Sequence, residues 1–181
     1  MNHPIYLSII IVIGASLILI LTRTTVFISE ANQESLQEKK VFENFVLTQQ
    51  LLEYYLKKIG YKSSANSIIE ADSSRIKFIC DDNGDGLIDT LEIKSDIRAD
   101  NSYNPNDYKL ILINNNTEQV IAPYGITKFK LEYLDINGNS TNERLFIRFI
   151  IVNLRTESEE PFRDRYFFYE NKFIIRPKNL G

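Results

Sequence analysis

The stretch Asp81-Asp82-Asn83-Gly84-Asp85-Gly86-Leu87-Ile88-Asp89-Thr90-Leu91-Glu92 is the densest run of oxygen donors in the chain. Its spacing matches the twelve-position calcium loop, with Asp81 at position 1, Asn83 at 3, Asp85 at 5, Gly86 at 6, Asp89 at 9 and Glu92 at 12. Calcium takes six to eight hard oxygens, and side chains at alternate positions converge as the chain wraps around the ion. Gly86 allows the sharp turn and Leu87 offers its carbonyl. Asp89 acts directly or through water, and Glu92 closes the site with both carboxylate oxygens. Two readings stand side by side. Either calcium binds here in a structural role, or Asp, Asn and Gly serve only the geometry of an acidic turn. The flanks, Arg75–Cys80 and Leu91-Glu92-Ile93, read as strands and not as the helices of a helix-loop-helix hand.

Other chemistry is sparse. His3 is the sole histidine and lies at the extreme front, so no Ser-His-Asp or Cys-His arrangement forms and no Cys/His cluster exists for zinc. Cys80, the single cysteine, sits beside Asp81, whose negative charge disfavours a thiolate. No phosphate loop or dinucleotide fingerprint occurs. A net charge of −3 with no basic block argues against nucleic acid. The expectation is a protein that is not an enzyme and has no small-molecule substrate.

The elements that would position the loop begin with a helix. Ile5 to Leu21 is an uncharged apolar run, and between Arg23 and Ile59 there is neither glycine nor proline. A helix of about 55 residues would be about 80 Å long. Residues 1–28 read as a retained transmembrane segment, against a cleaved signal or a buried core helix. Residues 29–60 continue it, first as a polar neck over Ser29–Lys40 and then as an apolar stripe. Phe42, Phe45, Leu52, Leu56 and Ile59, with Gln49 as the polar member, recur at helical spacing. Val41, Val46, Leu51 and Tyr55 widen that face, so this half lies on a sheet, and Gly60 stops it.

Residues 61–181 read as one β-rich domain. The expected strands are Arg75–Cys80, Thr90–Ser95, Lys109–Ile113, Gln119–Ala122, Lys128–Leu134, Arg144–Asn153 and Tyr166–Ile175. Turns fall at Asn114-Asn115-Asn116 and around Asn137-Gly138. The fold class is α+β, one long helix on an antiparallel sheet of five to seven strands.

Four pieces, in order, resemble the type IV pilin-like family, and within it the minor pilins and the J-class minor pseudopilins of type II secretion. They are the helix end Leu51-Leu52-Glu53-Tyr54-Tyr55-Leu56-Lys57-Lys58-Ile59-Gly60-Tyr61, the hairpin Ile76-Lys77-Phe78 with Asp81-Asp82-Asn83-Gly84-Asp85-Gly86, the strand and turn Phe129–Gly138, and the ending Phe173–Leu180. The front departs from the family: no glycine precedes the apolar run and no glutamate lies within it, and Ser8 stands near that early position. The resemblance implies a structural subunit of a type IV pilus or type II secretion-type assembly. Its partners would be other pilin-like subunits, met through the N-terminal helix. It implies a single-pass inner-membrane protein with its domain in the periplasm or outside the cell, although Arg23 by itself favours a cytoplasmic C-terminal side. The alternative is a single-pass, membrane-anchored extracytoplasmic module whose calcium loop mediates an interaction.

Overall fold

A computed structural model describes residues 3–63, 67–100 and 102–180. Met1 and Asn2, at the front of the expected anchor, and Gly181 lie outside the described residues. The chain divides into two compact units, Met1–Gln37 and Glu38–Gly181. A single α-helix, α1 (His3–Lys57, 55 residues), belongs to both.

In the first unit α1 is long and apolar enough to cross a membrane, with an 18-residue window of mean hydropathy 2.7, none of it buried. Ser8, Ser16, Thr22, Thr24 and Thr25 each donate a hydroxyl to the carbonyl four residues back, at 2.8–2.9 Å. These bonds satisfy the side-chain polar groups inside the helix itself, as a hydrocarbon environment demands.

In the second unit the remainder of α1 buries Val41, Phe45, Thr48, Leu52 and Leu56 on one face, and Ile59 just beyond the helix joins them. Their spacing of three and four is the helical period. The polar member of this stripe is Thr48, not Gln49, Leu51 falls outside it at 39% exposed, contrary to the sequence reading, and Phe42 stands on its margin, 48% exposed, with its ring edge-on to Tyr169 at 5.1 Å. The helix ends at Lys57, before the expected stop at Gly60. Gly60 instead makes the turn onto the sheet with φ +74°, its N–H donating to the Ile79 carbonyl at 3.0 Å. A Cβ there would lie 2.5 Å from the Ser67 hydroxyl oxygen, so both dihedral and space call for glycine.

Seven strands follow in simple meander order: β1 (Ile68–Ala71), β2 (Arg75–Cys80), β3 (Asp89–Arg98), β4 (Tyr108–Asn114), β5 (Thr117–Leu134), β6 (Phe149–Glu157) and β7 (Phe168–Ile175). Each pairs antiparallel with the next, leaving β1 and β7 at the edges. The α1 stripe packs with Ile76, Phe78, Leu91, Ile93, Leu110, Leu131, Val152 and Leu154 from one face of the sheet. This is the expected α+β class, a long N-terminal helix on an antiparallel sheet, and it is compatible with a pilin-like architecture. Three strand expectations change. β1 precedes the first strand read from the sequence. The two strands expected at 119–122 and 128–134 are one, β5, whose pairing with β4 shifts register near Leu110. Arg144–Phe146 forms a short 3₁₀ turn with Leu145 and Phe146 exposed, and β6 begins only at Phe149.

Candidate functional site

The acidic loop joins β2 to β3, and the strands fix its two ends through the pairs Cys80↔Asp89 and Ile79↔Thr90. Asp81 organises it from inside. Its side chain is fully buried: Oδ1 accepts the Gly84 N–H at 2.7 Å, and Oδ2 accepts the Gly86 N–H at 3.0 Å and the Lys62 ammonium at 2.8 Å. The bond from Lys62, helped by the two glycine amides, holds the Asp81 carboxyl below its ordinary range against the opposing effect of burial. Gly84 and Gly86 take φ of +82° and +87°, which aims their amides at the carboxylate. Asn83 Oδ1 accepts the Asp85 N–H at 2.9 Å, Asp85 Oδ1 accepts the Leu87 N–H at 2.7 Å, and Asn83 Nδ2 donates to Asp85 Oδ2 at 2.9 Å. Leu87, the expected carbonyl donor, stands at the exposed tip with 70% of its surface free.

The base of the loop is clamped from three directions. Asp89 accepts the Asp82 N–H at 3.0 Å and the Asn115 amide at 2.6 Å, and Asn115 Oδ1 accepts the Thr90 N–H at 2.9 Å. Lys58, just after α1, donates to the Asp82 carbonyl at 2.8 Å and to its carboxylate at 2.7 Å, while lying 4.2 Å from the Tyr54 ring centroid. Asn114 reaches Asp82 Oδ2 at 3.2 Å. Lys58, Lys62, Asn114 and Asn115 therefore belong to the site although they lie outside the motif, and Asp82 joins them from a motif position that is not a ligand. Only folding brings α1's end and the β4–β5 turn to the loop. The one hint in the sequence is the lysine at each end of Lys58–Lys62, close after the helix.

Glu92 is set apart from the other expected ligands. Along β3 the side chains of Asp89, Leu91 and Ile93 are buried while those of Thr90, Glu92 and Lys94 are half-buried on the opposite face. Glu92 pairs in register with Lys77 and Ile113, approaches Arg75 at 4.0 Å and lines a cleft of about 300 Å³ with Lys77, Thr90, Ile113, Asn115 and Asn116. Of the expected ligands the structure joins only Asn83 and Asp85 directly; Asp81 turns to the loop's glycine amides and Lys62, Asp89 to the Asp82 amide and Asn115, and Glu92 lies on the other face of β3. The complete twelve-position set is not assembled, and among the described residues no group of three or more His, Cys, Asp or Glu side chains is disposed to hold a metal ion.

Cys80 closes β2 fully buried, and burial, reinforced by Asp82, pushes its thiol up to about 11. That keeps it a protonated core residue. No known protein family, curated protein or solved structure matches the chain.

Proposed function

We propose that this chain is a structural, non-catalytic subunit of a type IV pilus or type II secretion-type assembly, anchored in the inner membrane by the front of α1, with its β-domain in the periplasm or outside the cell. The observation that carries this reading is the unbroken α1, apolar at the front and docked on an antiparallel sheet at the rear. A second feature supports it. The face of α1 turned away from the sheet exposes Leu47 (60%), Leu51 (39%) and Tyr54 (54%), at helical spacing, in position to meet the helix of a neighbouring pilin-like subunit. Lateral helix packing needs no glycine at the front of the chain. The test is cross-linking and co-purification of the full chain from membranes. Recovery with other pilin-like subunits is expected, and a chain that is always solitary in detergent would overturn the proposal.

A second reading keeps the anchor and gives the leading role to the β2–β3 loop, as a calcium-binding interaction module. The spacing of Asp81, Asn83, Asp85 and Asp89 along the β2–β3 loop, with Asn83 and Asp85 in direct contact, speaks for it. Such a site uses the short donor set with the Leu87 carbonyl and without Glu92, and the ion competes with Lys62 for Asp81. Calcium titration followed by thermal melting decides it: no shift in melting temperature removes this reading.

A further inference from the structure

Strand β7 is an open sheet edge of unusual regularity. It pairs with β6 over all eight residues, Phe168 to Ile175, without a register shift. The opposite edge, β1, has only four residues and is bulged between Ile68 and Glu70. Short or bulged strands are the usual protection against edge-to-edge pairing, and β7 has neither device nor a proline.

Two bonds establish which backbone groups face outward. The Phe167 carbonyl accepts the Ser158 N–H at 2.9 Å, so odd-numbered residues bond inward to β6. The Lys172 N–H instead meets only the side chain before it, Asn171 Oδ1, at 2.8 Å on the exposed side. By the alternation of an antiparallel ladder, the N–H and C=O of Phe168, Glu170, Lys172 and Ile174 point away from the sheet. The same four side chains lie on the face opposite α1, because Tyr169 packs on Phe45 at 4.6 Å and Ile175 is buried in the core. Phe168 and Ile174 are 58% and 64% exposed.

We infer that β7 is a homotypic pairing edge whose occupant is the β7 of a second copy, antiparallel, with Asn171 opposite Asn171 on the two-fold axis. In that register Glu170 faces Lys172 of the second copy and Lys172 faces its Glu170. Phe168 faces its Ile174, and Ile174 its Phe168. Every outward N–H and C=O of the four residues meets a complement, the Lys172 N–H exchanging Asn171 Oδ1 for the Glu170 carbonyl of the second copy, and both charged pairs are of opposite sign. Within the chain the same charges are already joined to β5, Glu170 to Lys128 at 2.6 Å and Lys172 to Glu132 at 2.8 Å. The pairing extends this charge ladder across the junction. An edge lysine ordinarily repels a second strand, but here the opposing glutamate removes that protection. The two-fold axis stands perpendicular to the sheet, so within the paired β-domains both copies keep residues 38–57 of α1 on the same face and run them in opposite directions. The contact is therefore distinct from packing between parallel helices, and it does not rest on the assembly proposed above.

Charge reversal in the full chain in non-ionic detergent tests the register, with sedimentation as the readout. Glu170→Lys alone places lysine against lysine, and Lys172→Glu alone places glutamate against glutamate. Each is expected to weaken self-association by about tenfold or more. An equimolar mixture of the two variants restores pairing, because each now opposes the other's charge. Asn171→Cys, on the axis where facing Cα atoms lie about 4.5 Å apart, forms an interchain disulfide on oxidation, and Asn139→Cys on the turn after β5 does not. A mixture no tighter than either variant alone overturns the inference. So does an unmodified chain that stays monomeric up to its solubility limit, or a dimer indifferent to both reversals.

Discussion

Replacing Leu52 by alanine is the sharpest probe of whether the rear of α1 is part of the β-domain. Leu52 is fully buried, in one cluster with Phe45, Leu56, Ile76 and Leu131, whereas Leu47, five residues earlier on the same helix, is 60% exposed. Alanine keeps helix propensity in both places, so the two variants differ in burial and not in backbone preference. Truncating a fully buried leucine loses its transfer free energy and leaves a cavity, which together come to about 3–4 kcal/mol. Truncating Leu47 should stay within about 0.5 kcal/mol. With a urea slope of about 2 kcal/mol per molar for a domain of this size, the Leu52→Ala midpoint falls by about 1.5–2 M and the Leu47→Ala midpoint stays in place. The chain lacks tryptophan but has ten tyrosines, so near-ultraviolet circular dichroism of the full chain at fixed detergent reports the tertiary transition. Two midpoints within about 0.5 M of each other would falsify the helix-on-sheet packing. The same pair separates stability from assembly: Leu47→Ala should leave folding intact and weaken recovery with other pilin-like subunits.

Other outcomes follow from single groups. Burial, with Glu157 adding to it, raises the Asp107 carboxyl against hydrogen bonds from Ser102 and Gly125, and its Oδ1 has no partner among the described residues. The folded chain thus holds this proton where the unfolded chain, at about 3.8, has lost it, so this group's contribution falls as pH rises through the raised folded value. Asp107→Asn should flatten that slope in pH-dependent melts and leave the neutral-pH chain at least as stable. Asp81 has the opposite sign: its depressed carboxyl stabilises above about 3.8 and loses that contribution as pH falls through the lower folded value. Lys62→Met should move acid unfolding to higher pH. It should also give a larger calcium-induced rise in melting temperature than the unmodified chain shows, and an equal rise in both would refute competition at Asp81. Tyr133, 4% exposed, donates its hydroxyl to the Asp72 carbonyl at 2.8 Å, and Tyr133→Phe should cost about 1–2 kcal/mol in urea melts. Cys80 should resist thiol reagents at neutral pH until the chain unfolds, and rapid labelling of the native chain would contradict its burial.

The helix was legible because both its halves obey local rules. An uncharged apolar run and a stripe at three- and four-residue spacing need no tertiary information. The strands that alternate cleanly were legible for the same reason, as in Arg75–Cys80, where Ile76, Phe78 and Cys80 are the buried set. The Asn114–Asn116 turn was legible too, and Asn115 and Asn116 take φ of +46° and +72°, the conformation that asparagine tolerates in tight hairpins. What escaped depends on contacts distant in sequence. β1 is four residues long and exists through its pairing with β2. The apolar run Leu145-Phe146-Ile147 looks like a strand, yet only Ile147 of the three is buried. Residues 123–125, Pro-Tyr-Gly, read as a break, but β5 passes through them as a bulge because β4 pairs on either side, Leu110 with Ala122 and Tyr108 with Ile126.

The acidic loop shows how a motif's meaning depends on the element that follows it. Positions 9 and 12 share a face when the chain after the turn is helical, since three residues advance it by nearly one turn. In a strand the same three residues span about 10 Å and, being an odd number, end on opposite faces. The alternation of Thr90 to Ser95 already marks β3 as a strand, so the separation of Asp89 from Glu92 was implicit in the sequence beside the motif that joins them. The glycines and Asp81 keep their places because they work locally: Gly84 and Gly86 present amides to a carboxylate only three and five residues away. The ammonium of Lys62 then supplies positive charge at Asp81 from 19 residues upstream. A loop spelled like a calcium site can thus take its shape from its own backbone and one lysine, and any ion it binds must contend with that arrangement.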